Sequence, residues 1–300
     1  MGMEIKGDDC MIKQIGHNAL RVSDMGKSVA FYQDIVGMTK EFEVFDEANN
    51  PWIVYLRAGE KQFLELFYDG VRDHSRDYDG KKIGYHHFCV EVEDLEKTGQ
   101  RLLDAGYINN TATQPGRDHN QGYWINDPDG NAVEFVCYSP KSPHVLSNKG
   151  ERKKSNLPIS GIAHVTFATE DMGKSLHFYQ NILGFERIYD MPDDDGNDWL
   201  IYLRVCDGQC IELFYNGEIK YSPKTENPTG FMHLCLEVEN IEKIAEHLRK
   251  NGITLTVEPL QGKDHNWQCW ANDPDGNPIE FMQIDPKSPQ AQRKKKEEQQ

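Results

Sequence analysis

Two imidazoles and two carboxylates recur in this chain at nearly fixed intervals. His17, Glu65, His87 and Glu134 are 48, 22 and 47 residues apart. His164, Glu212, His233 and Glu280 repeat the series with gaps of 48, 21 and 47. Such a donor set suits Zn, Ni, Co, Mn or Fe(II) and leaves positions for water or substrate oxygens. Composition does not choose among these metals. A single strand His or Glu more often faces solvent or a satisfied core contact than a metal. Four polar residues kept in step twice, three of them inside apolar runs, ask for more than that.

The elements that must position these residues follow from strand alternation. In the segment 15–22, His17 shares a face with Ile15 and Ala19, opposite Leu20 and Val22. His87 shares a face with Tyr85, Cys89 and Glu91, opposite Phe88, Val90 and Val92. His233 lies with Phe231, Cys235 and Glu237. Glu65 sits between Leu64 and Leu66, and Glu134 between Val133 and Phe135. A carboxylate in such a strand is costly to bury without a partner. Four faces bearing His, Glu, His and Glu can therefore line a cup.

Nearly the whole chain is a tandem repeat. Phe31-Tyr32-Gln33 returns as Phe178-Tyr179-Gln180, and Leu64-Glu65-Leu66-Phe67-Tyr68 as Ile211-Glu212-Leu213-Phe214-Tyr215. Asp127-Pro128-Asp129-Gly130-Asn131 returns as Asp273-Pro274-Asp275-Gly276-Asn277, a tight turn placed just before Glu134 and Glu280. Each copy holds two units reading βαβββ. Their helices start at Ser23 or Asp24, at Asp94 and at Asn240, and stop at Gly37, Gly106, Gly184 and Gly252. The α+β reading is four tandem modules in two domains, 12–143 and 159–289, with curved mixed sheets around a metal cup. Residues 144–158 read as a polar linker and 290–300 as a disordered tail.

The chain has 300 residues and a net charge of −16, from 33 basic and 49 acidic side chains. That balance argues against nucleic acid as a partner. No apolar run reaches the roughly 18–20 residues of a membrane span, and the first eleven residues do not read as a signal peptide. Seven cysteines, most of them single, point to a reducing, cytoplasmic setting. The expected partner is a small-molecule substrate, and a homodimer is compatible with this reading.

The opening His, the Phe-Tyr and Val-Gly or Leu-Gly downstream, the mid-domain Glu-Leu and the Asp-Pro-Asp-Gly-Asn turn before a final Glu resemble the vicinal oxygen chelate superfamily. This superfamily includes glyoxalase I, extradiol dioxygenases, methylmalonyl-CoA epimerase and bleomycin-resistance proteins. The resemblance covers about residues 12–140 and 159–286. The full His-Glu-His-Glu set is most similar to glyoxalase I (lactoylglutathione lyase). That resemblance implies a divalent metal held by His17, Glu65, His87, Glu134, His164, Glu212, His233 and Glu280. It implies a 2-oxoaldehyde hemithioacetal as substrate, with glutathione or another thiol as co-substrate, isomerised through a metal-stabilised enediolate. Glu134 and Glu280 are then the catalytic proton carriers. Arg21 matches a position that contacts the glutathione carboxylate, whereas the second copy carries Ala168 there. His119 and His265 sit in repeated Asp-His-Asn segments that read either as polar loops held by Asx turns or as substrate contacts reaching into the cup. Two alternatives stay open. One is an Fe(II) extradiol dioxygenase using His164, His233 and Glu280, although Trp270 and Trp124 stand where its signature wants Tyr. The other is a non-enzymatic binding protein of the bleomycin-resistance kind. Each metal could be held within one copy, or by His17 and Glu65 with His233 and Glu280, and His164 and Glu212 with His87 and Glu134.

Overall fold

The computed structural model describes residues 11–73, 81–150 and 157–292. Module 1 comprises β1 (Ile12–Arg21), α1 (Met25–Ala30), β2 (Thr39–Phe45), β3 (Pro51–Gly59) and β4 (Gln62–Phe67). Module 2 has β5 (Gly84–Glu91), α2 (Leu95–Asp104), β6 (Gln121–Asn126) and β7 (Ala132–Cys137), followed by the short α3 (Pro143–Leu146). Module 3 has β8 (Gly161–Ala168), α4 (Met172–Leu176), β9 (Glu186–Pro192), β10 (Asp198–Cys206) and β11 (Gln209–Phe214). Module 4 has β12 (Gly230–Val238), α5 (Ile241–Lys250), β13 (Leu255–Gln261), β14 (Trp267–Asn272) and β15 (Pro278–Gln283), with α6 (Pro289–Gln292) after it.

Neither copy owns a sheet. One sheet has eight strands in the order β13-β14-β15-β12-β1-β4-β3-β2, so modules 4 and 1 share it. The other has seven, in the order β6-β7-β5-β8-β11-β10-β9, and joins modules 2 and 3. The joints are antiparallel, β1 on β12 and β5 on β8, and each joint strand has a parallel neighbour on its other side. Module 2 forms one strand fewer than βαβββ. Its residues 109–115, Asn-Asn-Thr-Ala-Thr-Gln-Pro, occupy the place of β13 but carry little of the β-branched and apolar content that strands favour.

Of the two caps the sequence offers for the first helix, Asp24 is the one used, and Asp94 and Asn240 start theirs as expected. Asp24, Asp94, Asp171 and Asn240 are N-caps whose side chains accept from the backbone N–H three residues on. The first and third helices widen into π-turns over Phe31–Val36 and His177–Ile182. Gly37, at φ 98°, closes the first of these in a conformation that side-chain-bearing residues rarely adopt.

The repeated Asp-Pro-Asp-Gly-Asn turn ties the two modules of one copy together on the helix side. Asp127 accepts from the backbone N–H of Asp129 and Asn131, from Asn131 Nδ2, and from the hydroxyl of buried Tyr32 at 2.8 Å. Asp129 accepts from Ser23 at the mouth of α1. Asp273 repeats the arrangement with Tyr179 at 2.9 Å, and burial pushes its carboxyl up to about 6. The main apolar core lies with these helices and includes Tyr32, Phe88, Phe135, Tyr179 and Phe281.

Three local expectations need correction. Ile15 packs in this core with Leu20 and Val22 rather than beside His17, because the β1–β12 register slips between Ile15 and His17. Residues 290–292 belong to α6, with Gln290 buried, rather than to a disordered tail; residues 293–300 lie outside the described residues. Residues 151–156 of the expected linker also lie outside them, while its start is the helical α3, capped by Ser142.

Candidate metal centres

Four adjacent strands build each cup, in the order Glu, His, His, Glu. In the eight-stranded sheet these are Glu280 on β15, His233 on β12, His17 on β1 and Glu65 on β4. In the seven-stranded sheet they are Glu134 on β7, His87 on β5, His164 on β8 and Glu212 on β11. Each cup thus takes one His-Glu pair from each copy, the crossed arrangement of the two the sequence left open. This division separates the alternative iron triad: His164 lies in one cup, His233 and Glu280 in the other.

In the first cup, His17 Nε2 is 2.9 Å from His233 Nε2, 2.9 Å from Glu280 Oε2 and 3.3 Å from Glu65 Oε1. His233 Nε2 is 3.5 and 3.4 Å from Glu65 and Glu280. In the second, His87 Nε2 is 3.2 Å from both His164 Nε2 and Glu134 Oε2, and 3.6 Å from Glu212 Oε2. His164 Nε2 is 2.9 and 3.8 Å from Glu134 and Glu212. Ligands about 2.1 Å from one ion stand about 3.0 Å apart at a right angle and about 3.4 Å apart in a tetrahedron. Most donor distances fall near that spacing, the longest being 3.6 and 3.8 Å to Glu212, and His17, Glu65 and His233, like His87, His164 and Glu212, bring their donor atoms within 4.8 Å of one another, so the residues present fit a divalent ion.

The electrostatics agree with a site made for positive charge. Burial pushes Glu65 up to about 7, against the pull of His17. Burial acts on Glu134 and Glu280 as well, but the adjoining imidazoles overcome it and hold both below the usual carboxylate range. Burial lowers the proton affinity of His17 and His164, and their carboxylate neighbours more than reverse this. Burial lowers His233 and, together with His87, drives His86 far below the ordinary imidazole range. Two carboxylates without compensating cation would be costly at this depth.

The surroundings complete each cup. Trp124 lies 4.4 Å from the His87 ring and Trp270 4.6 Å from the His233 ring. Tyr55 and Tyr202 lie beside Glu65 and Glu212. None of these four was singled out as a site residue from the sequence, although each Trp stands at the same offset from its His in both copies. The second cup opens into a cavity of about 680 Å³, lined among others by Asp118, Trp124, Trp199 and Phe214. Its rim is clasped where Arg117 reaches the Pro192 carbonyl and Asp194. At the first cup, Lys263 lies 5.0 Å over the Trp52 ring and 3.9 Å from Glu47.

His119 and His265 do not point into the cups. Both are exposed, at φ 65° and 69°, on turns where Asp118 and Asp264 bind the following Asn by Asx hydrogen bonds. The bond of Asn120 and Asn266 to Ser139 and Asp285 uses the turn as scaffolding, and Asp118 is the residue that reaches the cavity. Arg21 is half-buried at the end of β1, opposite Gly230 and Phe67, on the side of the first cup's strands.

The family model described as Glyoxalase/Bleomycin resistance protein/Dioxygenase superfamily matches residues 14–135 and again 161–281. The chain belongs to this superfamily. It is 24% identical to glyoxalase I of Saccharomyces cerevisiae, over 89% of this chain and 91% of that protein. A half-length relative, the lactoylglutathione lyase of Haemophilus influenzae, is 30% identical over 41% of this chain and 91% of its own. Among solved structures, glyoxalase I from Zea mays superposes with a TM-score of 0.64 at 18% identity, covering 90% of this chain and 92% of that one, which is a likeness of fold. The Saccharomyces cerevisiae relative, matched over most of both chains, carries the name of an enzyme.

Proposed function

We propose that the protein is a divalent-metal-dependent isomerase of the glyoxalase I kind, acting on the hemithioacetal of a 2-oxoaldehyde and a thiol such as glutathione, in cups held by His17, Glu65, His233 and Glu280 and by His87, Glu134, His164 and Glu212. The observation that carries this reading is the Glu-His-His-Glu row laid twice across the joints between the copies, with donor spacings that suit one ion per cup. An ion bound there supplies positive charge next to the two vicinal oxygens of the substrate. The remaining work falls to the side chains. Glu134 and Glu280 have 18% and 9% of their side chains exposed, against 5% and 4% for Glu212 and Glu65. The more open carboxylate of each cup is the proton carrier: it takes the proton from the carbon bearing sulfur and oxygen and returns it to the neighbouring carbon. With the hydroxyl proton of the first carbon passed to the oxygen of the second, the product is the 2-hydroxy thioester, with no net loss of atoms. Trp124 and Trp270 wall the reacting centre, and Arg21, whose counterpart in the second copy is Ala168, is assigned the anionic group of the thiol at the first cup alone.

The deciding experiment strips the metal with a chelator and assays thioester formation from methylglyoxal and glutathione before and after adding back Zn, Ni, Co or Mn. Activity lost and restored supports the reading. Full activity in the stripped protein, or none with any metal and thiol, rejects it.

A further inference from the structure

We propose that His86 is a positioning residue that makes the cup of His87, Glu134, His164 and Glu212 the tighter of the two metal sites, so that the cups fill in order. The proposal rests on the metal-centre reading above and goes beyond it to rank the sites.

His86 and Met232 hold the same place in the two sheets. In β5, Tyr85 faces Phe167 and His87 faces Thr166, which leaves His86 as the extra residue of a bulge. In β12, Phe231 faces Leu20 and His233 faces Ala19, and Met232 is the extra residue. A bulge re-aims its side chain relative to a regular strand. Here it stacks the His86 ring on Phe214, at 5.2 Å and 21°, and brings His86 Nδ1 within 2.7 Å of His87 Nδ1.

On the metal-centre reading, His87 Nε2, which also lies 3.1 Å from Thr166 Oγ1, is a ligand, and this assigns the ring proton. His87 turns Nε2 into the cup, 3.2 Å from His164 and Glu134. A ligating nitrogen offers its lone pair, so the ring proton of His87 stands on Nδ1 and is donated to His86 Nδ1. Such a bond fixes the tautomer and rotation of a ligating imidazole and raises its basicity. Met232 offers His233 only a thioether, a weak acceptor.

A second difference points the same way. Thr166 donates its hydroxyl to Glu212 Oε2 at 2.6 Å, orienting that carboxylate. Ala19 stands in the equivalent place beside Glu65. Two of the four candidate ligands in this cup therefore have a partner whose counterpart is missing from the other cup.

The test is a Co²⁺ titration of chelator-stripped, full-length protein, followed by calorimetry and visible absorption. The wild type should bind in two steps, with His164→Ala removing the tighter and His17→Ala the weaker. His86→Met should weaken the tighter step by roughly 10- to 100-fold, the usual cost of losing a ligand's outer hydrogen bond, and leave the weaker step unchanged. Methionine already occupies the matching bulge, so the variant is expected to fold; far-UV circular dichroism checks it. Thr166→Ala, which leaves the bulge untouched, should weaken the same step, and the double variant should bring the two affinities together. An unchanged tighter step in both single variants, or a tighter step that His17→Ala removes, overturns the proposal. Failure of the wild type to bind Co²⁺ at all overturns the metal-centre reading, a result distinct from a failure of His86 alone.

Discussion

The two cups carry the same four side chains in the same order, yet their neighbours differ. The second sets Thr166 against Glu212 and His86 against His87; the first has Ala19 and Met232 in those places. Glu134 is also twice as exposed as Glu280. By contrast, the paired turns on the helix side are nearly identical, with Tyr-to-Asp distances of 2.8 and 2.9 Å. The difference separates two kinds of repetition. The turns are scaffolding that works only one way. The cups share a candidate ligand set, but the groups that touch it vary.

The strongest way to break this comparison is to remove the proton carriers. Glu134→Gln with Glu280→Gln should lower kcat by roughly 10²- to 10⁴-fold, the usual contribution of a positioned base. Glu134→Gln alone should cost more turnover than Glu280→Gln, because Glu134 is the more exposed of the two. Steady-state assays of the three variants would show it, and a double variant with wild-type turnover would remove both residues from the mechanism.

Metal content sharpens the crossed pairing. His17→Ala with His233→Ala cripples one cup and should leave one equivalent per chain. His17→Ala with His87→Ala cripples both and should leave none. Elemental analysis giving the reverse would mean that each copy binds its own ion.

A smaller effect is expected where the two regions match. Tyr32→Phe and Tyr179→Phe each remove a donor from a buried carboxylate and should cost about 1–3 kcal/mol. Thermal or denaturant unfolding should find similar losses, and a clear difference would show that the turns have diverged too. Least of all, Lys263→Ala on the exposed rim should change stability by less than about 1 kcal/mol. A larger drop in the melting temperature would make the rim part of the fold.

The candidate ligands were legible because their spacing repeats and because a Glu inside an apolar strand needs a reason. The helix caps at Asp94 and Asn240 were legible, and the first was narrowed to Ser23 or Asp24. The pairing was not, since both arrangements use the same eight residues; the long-range joints of β1 with β12 and β5 with β8 decide it. His119 and His265 misled because a repeated polar triplet resembles a site, whereas the left-handed turn needed there faces the histidine outward. The missing strand at 109–115 reflects Asn and Pro in a place where the other copy carries Leu255 and Val257. Thr166 drew no notice, since its role exists only across the sheet from Glu212.

The strand exchange between copies has an evolutionary consequence. Two identical half-length chains could assemble the same pair of cups, but every substitution would then strike both at once. Joining the halves through one peptide lifts that constraint. His86 and Met232 can differ only because the partners have become a single polypeptide, which lets one cup be refined while the other is left as it was.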